Sequence, residues 1–488
     1  MTLALRCGAH DNAYGSQRTA AVQRVLQRLR DEGIEQVRVA WADLHGSFRA
    51  KTLVGIDTVA AAFDNGVGMV STLLLKDMSD RTAFKVFEPG ALAALPGLAA
   101  ANSVLMLPDP HSLQWLPWAP GTAWLRAEPF VEDGTPAPAD PRRVLQRALA
   151  ALAHFDAQGF SLRCGLEVEF HIYRITDQRL AVEDASWPAE PPVLQLLHPG
   201  YQLLSEAWAD LADEALAIVR RTALALGLPL QSLEIEFGPS QFEAVFAPTD
   251  ALTAADQMLL FRNHVRQALR RAGYHASFVS RPPDPPCANA VASGWHLHHG
   301  LVDASGANVF AHQQQPLSAT GMHWLAGLLA HAQGMAALCA PTIPAYSRFR
   351  GSVMAPQAAV WGRDNRGAML RVVGLPGSAS VRIENRIGEP LANPYLMIAA
   401  QVFAGLDGLR RQLQPGPPTE SPYAAGLPAL PGNLSDALDA LAADSVLQQG
   451  LGPVMAHLLQ VVKRQEISRH EQAPDKAQWE RSEYFSRF

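Results

Sequence analysis

The sequence predicts a protein of two domains that mixes helices and strands. Its 488 residues, of which 48% are hydrophobic, are enough for more than one buried core. Stretches with apolar residues at helical spacing are interleaved with stretches of strand-like alternation, and a segment rich in proline and glycine divides the chain. We place the boundary in that segment, which gives a small domain at residues 1–133 and a larger domain at residues 134–488.

The N-terminal part opens with a helix and a small sheet. Residues 18–31 place apolar side chains at helical spacing, and residues 35–53 alternate as a strand, a turn and a second strand. After the boundary, Pro141 fits the first turn of a helix over residues 141–156, and residues 162–173 form the next predicted strand. Helix therefore leads into strand at the start of the larger domain.

The larger domain continues the mixture of helix and strand. Residues 214–227 have a helical pattern, residues 232–247 predict a hairpin broken at Gly238-Pro239, and residues 254–273 predict a long helix. Residues 413–433 contain six prolines and predict a surface loop before a helical tail. Most of the chain therefore belongs to one catalytic unit.

Composition argues against several classes of partner. With 40 basic and 46 acidic residues and a formal charge of −6, the chain offers no basic patch for nucleic acid or an anionic membrane, so small molecules are expected. The apolar stretch at residues 90–107 contains Pro96 and predicts no membrane span, and the first residues lack a signal-peptide layout. A reducing cytoplasm fits the four widely spaced cysteines, which predict neither a zinc site nor a disulfide framework: Cys7, Cys164, Cys287 and Cys339.

Two acidic side chains on one predicted strand indicate a cation site. In LEVEF, Glu167 and Glu169 are two residues apart, so both carboxylates project from the same face between apolar neighbours. Like charges in that position either raise each other's pKa or share a metal, and oxygen ligands suit Mg²⁺ or Mn²⁺. Taken alone, a solvent-facing side of the strand is an equally good interpretation.

Further candidate ligands occur downstream. Glu236 and Glu243 flank the Gly-Pro turn of EIEFGPSQFE and can point at one place, although Glu234 shares a strand face with Glu236 and competes for the assignment. In GWHLHHG, His296 and His298 share a strand face, so one fits a metal and the other a phosphate. Such a pair of histidines is weak evidence by itself.

Five arginines follow in the last third of the chain. Arg382 and Arg386 alternate with Glu384 inside an apolar segment, which disfavours a solvated face. Guanidinium groups match carboxylates and phosphates. Because the chain has neither GxxxxGK[ST] nor GxGxxG, a nucleotide is expected to be held through metal ions and arginine. The five arginines are Arg348, Arg366, Arg371, Arg382 and Arg386.

Five motifs together resemble the glutamine synthetase superfamily of type I in order and spacing: GLEVEF, EFGPSQFE, SGWHLH, NRGAMLR and RIENRIGEPLANPYL. The resemblance extends from WADLHGSFRAK to DKAQWERSEYF and covers nearly the whole chain. It implies an α+β fold, with a small N-terminal β-grasp domain and a larger catalytic domain that has a curved antiparallel sheet. It also implies a homo-oligomer, commonly a dodecamer of two hexameric rings, with each active site between subunits.

The resemblance assigns two sets of metal ligands. The ligands of the ion nearer the acceptor substrate, here called the acceptor-side carboxylates, match Glu169, Glu236 and Glu243. The ligands of the ion at the phosphates, here called the phosphate-side ligands, match Glu167, His296 and Glu384. The implied cofactors are Mg²⁺ or Mn²⁺ ions, with ATP as co-substrate.

The remaining roles fall on arginine and histidine. Arg366 matches the residue that stabilises the transferring phosphoryl group and, with Glu384, is assigned to catalysis. Arg348 and Arg386 match the pair that holds the α-carboxylate of glutamate. The implied reaction forms γ-glutamyl phosphate from glutamate and ATP, and an amine then displaces the phosphate. Contacts to the nucleotide phosphates match His298, Arg366, Arg371 and Arg382.

Two departures from the family concern the amine. The aspartate that binds ammonium aligns with Val70, and the flap glutamate that deprotonates ammonium aligns with Met354. A cationic amine favours a carboxylate, whereas an aromatic amine such as aniline is a weak base and arrives neutral. We therefore predict a γ-glutamylamide synthetase for an amine other than ammonia, with γ-glutamylanilide synthesis as the sharpest form of the hypothesis.

Other interpretations stay open. Val291 and Ala292 replace the Asn-Gly usual in the loop that holds the amino group of glutamate, which leaves the recognition of glutamate open. Tyr423 lies near the tyrosine that some bacterial members adenylylate, but its flanks differ. A catalytically silent ring protein and a kinase-like relative are rivals from other classes. A shifted alignment would let another carboxylate serve a polyamine, ethanolamine, a small alkylamine or ammonia: Asp64, Asp77 or Asp80.

Overall fold

The computed structural model describes most of the chain. Cys164 and Cys339 are buried and carry free thiols, whereas Cys7 and Cys287 lie outside the described residues. No helix in the described part of the chain is long and apolar enough to cross a membrane. The described residues are 3, 12–156, 159–282, 291–350 and 354–488, with residues 12–14 described by their backbone alone.

The chain divides into two compact units. The first unit extends to Pro141 and includes the short segments Leu224–Gly227 and Pro453–Val462. Its helices are α1 (Asn12–Asp31) and α2 (Ile56–Asn65). Its six strands are β1 (Gln36–Ala42), β2 (Phe48–Val54), β3 (Val67–Val70), β4 (Ser103–Pro108), β5 (Gln114–Trp115) and β6 (Thr122–Phe130).

The sheet of the first unit has the order β2-β1-β6-β4-β3, with β5 paired to β6. The predicted strand, turn and strand are confirmed, because β1 and β2 form an antiparallel hairpin. Its turn is held by the Asp43 carboxylate, which accepts hydrogen bonds from the backbone N–H groups of His45 and Ser47, both at 3.0 Å. β1 also pairs in parallel with β6 in the middle of the sheet, the arrangement of a β-grasp.

The second unit contains a mixed sheet of nine strands. Its main path has the order β13-β14-β15-β12-β7-β10-β9, and both β8 and β11 pair with β7. Neighbouring strands are antiparallel apart from β13 and β14. In chain order the strands are β7 (Ser161–Asp177), β8 (Val193–Leu196), β9 (Leu230–Ile235), β10 (Gln241–Asp250), β11 (Tyr274–Ser277), β12 (Trp295–Val302), β13 (Trp361–Arg363), β14 (Leu370–Val373) and β15 (Arg382–Asn385).

The helices from Pro141 onward confirm the predicted pattern, including the helix that begins at Pro141 and the long helix before residue 273. The loop over residues 413–433 carries no helix. The helices are α3 (Pro141–Ala153), α4 (Glu206–Leu211), α5 (Asp213–Ala225), α6 (Ala251–Arg271), α7 (Ala319–Ala330), α8 (Ala332–Cys339), α9 (Pro394–Arg411), α10 (Leu434–Ala443), α11 (Ser445–Leu451), α12 (Pro453–Gln472) and α13 (Lys476–Glu480).

Strand β7 separates the core of the second unit from its polar face. Because side chains alternate along a strand, Leu166, Val168 and Phe170 point to one face, and all three are fully or almost fully buried. Phe170 stacks on Phe278 with ring centroids 5.2 Å apart and meets Phe261 of α6 edge-on at 5.6 Å. Each such aromatic contact adds about 0.5–1.5 kcal/mol beyond area burial, so this face is fixed against the helices. The opposite face carries the glutamates of LEVEF.

Candidate active site

Strand register brings the predicted ligands onto one face of the second sheet. Directly paired residues on neighbouring strands project their side chains to the same side. Three register pairs connect β10, β7, β12 and β15, and six acidic or imidazole side chains therefore share the polar face of β7. The pairs are Glu243 with Glu169, His296 with Glu167, and Glu384 with His298.

His296 lies at the centre of this group. Its Nδ1 is 3.5 Å from Glu167 Oε2, 3.7 Å from Glu384 Oε1 and 4.0 Å from Glu243 Oε1. Its Nε2 is 3.6 Å from Glu169 Oε1. Burial and, after it, nearby positive charge lower the pKa of His296 to about 4, so the ring is neutral at pH 7 and has a lone pair for a metal ion.

Two overlapping groups of ligand atoms are compact enough for a metal ion. Ligand atoms of Glu167, Glu243 and His296 all lie within 4.8 Å of one another, and so do those of Glu167, His298 and Glu384. Carboxylate oxygens with neutral imidazole fit Mg²⁺ or Mn²⁺. His298, which the sequence predicts as a phosphate contact, thus also has the position of a ligand.

The acceptor-side carboxylates repel one another in a buried setting. Burial and the charge of Glu236 raise the pKa of Glu169 to about 8. Burial and the charges of Glu169 and Glu167 raise the pKa of Glu243 to about 10, and burial also raises the pKa of Glu236. Three acids that resist ionisation together are a donor set suited to a divalent cation.

The phosphate-side glutamates have the opposite electrostatics. Burial alone would raise the pKa of Glu167, but His296 and His298 outweigh burial and hold it well below its usual range. Burial is likewise outweighed at Glu384, where the imidazoles and arginines lower the pKa to about 2. These two carboxylates are therefore ionised at neutral pH without a metal.

Arginines bind the fully buried Glu384 from both sides. Arg371 Nη1 donates to Glu384 Oε2 at 2.9 Å, and Arg386 Nη1 donates to Glu384 Oε1. Arg371 also donates to Asp364 Oδ1 through Nε at 2.9 Å. Arg382 Nε donates to His298 Nδ1 at 2.9 Å. Three of the five predicted arginines thus contact the ligand cluster directly.

The two remaining arginines are placed differently. Arg348 is buried, and its guanidinium donates to the backbone carbonyl oxygens of Arg386 at 2.7 Å and Gly388 at 2.8 Å. Burial lowers the pKa of Arg348 to about 10. Arg366 is exposed in the turn between β13 and β14, beside a separate cavity that Glu420 also lines. The described contacts therefore do not bring Arg366 to the ligand cluster.

Two uncharged residues that sequence reasoning missed hold Glu169. Gln241 is fully buried and donates from Nε2 to Glu169 Oε2 at 3.2 Å and to Ser293 Oγ at 3.0 Å. The backbone N–H of Gly294 donates to the same Glu169 oxygen at 2.9 Å. A Cβ at Gly294 would lie 2.6 Å from Arg348 Nη2, so a larger residue here would displace the Arg348 guanidinium. Gln241 lies two residues before Glu243 on β10, but it carries no charge that would mark it as part of the site.

The predicted amine-pocket residues carry no charge. Met354 is half-exposed and has a positive φ of 73°. Its backbone N–H donates to Tyr423 Oη at 2.9 Å, and its carbonyl accepts from Arg386 Nη2 at 3.3 Å. Val70 is half-exposed at the end of β3 in the first unit. Val291 precedes the segment that holds Glu169.

A cavity of about 700 Å³ reaches the ligand cluster. Glu167, His298 and Arg382 line its polar part. Val245 and Leu301 are among the apolar side chains that line the rest. A mostly apolar cleft that ends at charged groups and candidate metal ligands has the character of a nucleotide site, with a place for a base and a place for phosphates.

The chain belongs to the glutamine synthetase family. Residues 138–484 match the family described as "Glutamine synthetase, catalytic domain", in agreement with the fold and the site. γ-Glutamylanilide synthase of Acinetobacter sp is 34% identical over 98% of this chain and 98% of its own length. Glutamine synthetase of Halobacterium salinarum is 31% identical over 89% of this chain and 94% of its own length. The solved GmaS/ADP complex in conformation 1 matches with a TM-score of 0.75 and 29% identity, covering 94% of this chain and 98% of that chain. The predicted α+β glutamine synthetase fold is confirmed.

Proposed function

We propose that this protein joins the γ-carboxylate of glutamate to an aromatic amine, with ATP converted to ADP and phosphate. The class of reaction follows from the family: the chain is an ATP-dependent glutamate–amine ligase. The observation that carries the choice of amine is the similarity to γ-glutamylanilide synthase along 98% of both chains. Family membership alone does not select the amine, because a glutamine synthetase is nearly as similar.

The ligand cluster fits the first half of the reaction. Divalent ions, when bound by the acceptor-side carboxylates and the phosphate-side ligands, would neutralise charge on the phosphates. Arg371 and Arg382 stand next to the cluster and are assigned to hold the nucleotide phosphates. The γ-carboxylate of glutamate attacks the terminal phosphorus, ADP leaves, and an acyl phosphate remains.

The second half of the reaction needs no strong base when the amine is neutral. The nitrogen attacks the acyl carbon, phosphate leaves, and the proton on the new cationic nitrogen is acidic enough for phosphate or a carboxylate to accept. A thioether at Met354 and a hydrocarbon at Val70 are compatible with an uncharged nucleophile, whereas a bound ammonium ion favours a carboxylate.

Two of the three alternative carboxylates are already engaged in the first unit. The Asp77 carboxylate is buried and accepts from the backbone N–H groups of Ser79 at 3.0 Å and Arg81 at 2.8 Å. Asp80 forms an ion pair with Arg49 at 2.8 Å. Asp64 is exposed on α2. Structural use of Asp77 and Asp80 supports the aromatic amine over an alkylammonium substrate.

An amine panel tests the proposal. Purified protein is incubated with ATP, Mg²⁺, glutamate and one of aniline, methylamine or ammonium, and the phosphate and γ-glutamyl product are measured. We expect aniline to give the highest kcat/KM. Product from ammonium or methylamine but not from aniline would contradict the aromatic amine. Phosphate release without any amine would favour a kinase-like relative, and no release with any amine would favour a silent ring protein.

Met354→Glu tests the amine pocket in the same assay. A carboxylate at this position should increase kcat/KM for ammonium and decrease it for aniline by about 10-fold each, because it favours a cation over a neutral ring. Leu375→Glu, at another exposed apolar residue, is the matched control and should leave both values unchanged. An unchanged preference in Met354→Glu would remove this residue from the pocket.

The proposal includes the assembly of the family, a dodecamer of two hexameric rings with active sites between subunits. Light scattering on the eluted protein measures its mass directly. A monomer that turns over substrate would contradict the shared site.

A further inference from the structure

An exposed aromatic pair lies directly beside one acceptor-side carboxylate. Phe237 and Tyr201 are each 46% exposed, although large aromatic side chains are mostly buried on folding. Their ring centroids are 5.7 Å apart and their planes are nearly perpendicular, at 83°. Phe237 follows Glu236 in sequence, and its backbone N–H donates to Glu236 Oε2 at 3.2 Å. The pair is therefore attached through the chain itself to Glu236, one of the predicted metal ligands.

Backbone hydrogen bonds join the segment that carries Tyr201 to the segment that carries Phe237. The N–H of Tyr201 donates to the carbonyl of Phe237 at 2.7 Å, and the N–H of Leu204 donates to the carbonyl of Ile235 at 3.0 Å. The N–H of Ser240 donates to the carbonyl of His198 at 3.1 Å. Three such bonds fix the two segments as one rigid layer, so the exposure of the rings does not come from a loose loop.

Close backbone packing fixes the layer further. Gly200 has a φ of +77°, and a Cβ there would lie 2.5 Å from the backbone nitrogen of Pro239. Glycine is therefore required for the segment to lie on the Gly238-Pro239 turn. Beneath the layer, the buried His198 ring meets Phe242 edge-on at 5.0 Å. The fold thus presents two aromatic rings at a fixed place beside Glu236.

We propose that Phe237, with Tyr201, forms the face against which the aromatic ring of the amine substrate packs. This inference rests on the proposed function, and it names the residue that selects for a ring. A neutral arylamine presents an apolar face and a weakly basic nitrogen. An aromatic pair offers edge and face contacts to that ring, while the neighbouring Glu236 belongs to the centre at which the acyl phosphate is formed.

Phe237→Ala tests this inference through a comparison of an amine substrate that has an aromatic ring with one that has none. Kinetics are measured with aniline and with hydroxylamine, a small and largely neutral amine, at saturating ATP and glutamate. We expect the KM for aniline to rise about 10-fold or more, with kcat less affected, because the lost contact contributes to binding of the ring. The KM for hydroxylamine should stay within about 2-fold, because this nucleophile has no ring to pack.

A matched control and a conservative variant keep the test decisive. Phe87→Ala removes another exposed phenylalanine, 80% exposed in the first unit, and should leave both substrates unaffected. Phe237→Leu keeps apolar area without an aromatic ring and should give an intermediate KM for aniline. It also serves in place of Phe237→Ala where the alanine variant does not fold.

Three outcomes would overturn the inference. If the unmodified protein makes product with hydroxylamine but not with aniline, the proposed aromatic substrate fails and the inference fails with it. If aniline is a substrate and neither Phe237 variant changes its KM, the proposed function stands and the inference alone is wrong. If both substrates are lost together with the assembled state on size exclusion, the aromatic pair is a contact between subunits.

Discussion

The two halves of the ligand cluster show how one sheet face can hold acids in opposite electrostatic states. On the phosphate side, Glu384 is fully buried, yet His296 and the arginines Arg386 and Arg371 lower its pKa to about 2. On the acceptor side, Glu243 is almost as buried, but its nearest charges are other carboxylates, and its pKa rises to about 10. Burial raises the pKa of both glutamates, so the difference between their pKa values comes from the neighbouring charges.

This difference indicates separate structural tasks for the two sets. The charges of the phosphate-side glutamates are balanced by histidine and arginine side chains, so these glutamates contribute to stability without a metal. The acceptor-side carboxylates cost stability until a cation or protons offset their repulsion. Metal binding is therefore expected to couple to protonation mainly on the acceptor side. Four predictions follow this contrast from the largest effect to the smallest.

Neutralising one glutamate on each side should give opposite effects on stability. Glu384→Gln leaves Arg371 and Arg386 without a buried counter-charge and should destabilise the metal-free protein by about 3–5 kcal/mol. Glu243→Gln removes repulsion and should stabilise it by roughly 1–2 kcal/mol at pH 8. Both variants should lose about 100- to 1000-fold in kcat. Urea unfolding and steady-state kinetics measure the two effects.

Glu234→Gln is the matched control for that pair of variants. Glu234 pairs in register with Glu243 and is partly buried, but its carboxylate accepts a hydrogen bond from Ser232 Oγ at 2.7 Å. Glu234→Gln should change kcat by less than about 3-fold, because this carboxylate is already engaged by the Ser232 hydroxyl. A loss as large as that of Glu236→Gln would move the ligand assignment from Glu236 to Glu234.

The stability of the metal-free protein should fall at both ends of the pH range for different reasons. In the folded protein the pKa of Glu169 is raised to about 8 and that of Glu243 to about 10. The free energy of unfolding is therefore highest below the pKa that these glutamates have in the unfolded chain, and it falls as the pH rises toward their folded pKa values. The lowered pKa of Glu384, about 2, means that its contribution is present above the unfolded pKa and is lost as pH falls toward 2.

Urea unfolding between pH 5 and 9, with and without Mg²⁺, measures the alkaline part of this dependence. Mg²⁺ should reduce the fall in the free energy of unfolding with rising pH, because the cation replaces protons at the acceptor-side carboxylates. Glu243→Gln should flatten it without Mg²⁺. If the free energy of unfolding falls equally in the unmodified protein with Mg²⁺, in the unmodified protein without Mg²⁺ and in Glu243→Gln, the proposed difference between the two sides of the cluster is wrong.

Metal binding should release protons mainly from the acceptor side. Calorimetric titration of the protein with Mg²⁺ at pH 7, in buffers of different ionisation enthalpy, gives the number of protons released. Glu243→Gln should release fewer protons than the unmodified protein, and Glu234→Gln should release the same number. Equal release from all three proteins would show that the acceptor-side carboxylates are already ionised.

The smallest expected effect concerns His331, a histidine that contacts two carboxylates outside the ligand cluster. Its Nδ1 lies 2.7 Å from Asp444 Oδ2 and its Nε2 lies 3.0 Å from Asp407 Oδ2. Burial opposes its charge, but the two aspartates raise its pKa, whereas the pKa of His296 falls to about 4. The stabilisation from His331 is therefore complete below its unfolded pKa and is lost as pH rises through the folded value.

His331→Gln should cost about 1 kcal/mol at pH 6 and less at pH 9, measured by urea unfolding. Its kcat at saturating substrate should match that of the unmodified protein. A larger cost at pH 9 than at pH 6 would show that His331 is neutral in the folded protein.

The sequence grouped some of the candidate ligands, and the fold was needed to bring the others to them. Alternation in LEVEF is enough to place Glu167 and Glu169 on one face, because strand geometry is local. The meeting of Glu243 with Glu169 depends on register between β7 and β10, and a shift of one residue would turn every side chain over. Family resemblance supplied that register.

Two kinds of residue were not predictable from charge and spacing. Gln241 and Gly294 hold Glu169 without a charge of their own, so a search for acids, histidines and arginines passes over them. Phe237 and Tyr201 are far apart along the chain and meet through backbone hydrogen bonds that a sequence pattern does not reveal. Arg348 was predicted as a substrate contact, and its contacts with backbone carbonyls required the folded chain.

Oxygen transfer from glutamate to phosphate tests the central claim most directly. Glutamate labelled with ¹⁸O in its γ-carboxylate is incubated with the protein, ATP, Mg²⁺ and aniline, and both products are analysed by mass spectrometry. An acyl phosphate captured by the amine predicts one ¹⁸O in each phosphate released and one ¹⁸O kept in γ-glutamylanilide. Phosphate without ¹⁸O, or labelled phosphate without γ-glutamylanilide, would contradict the account.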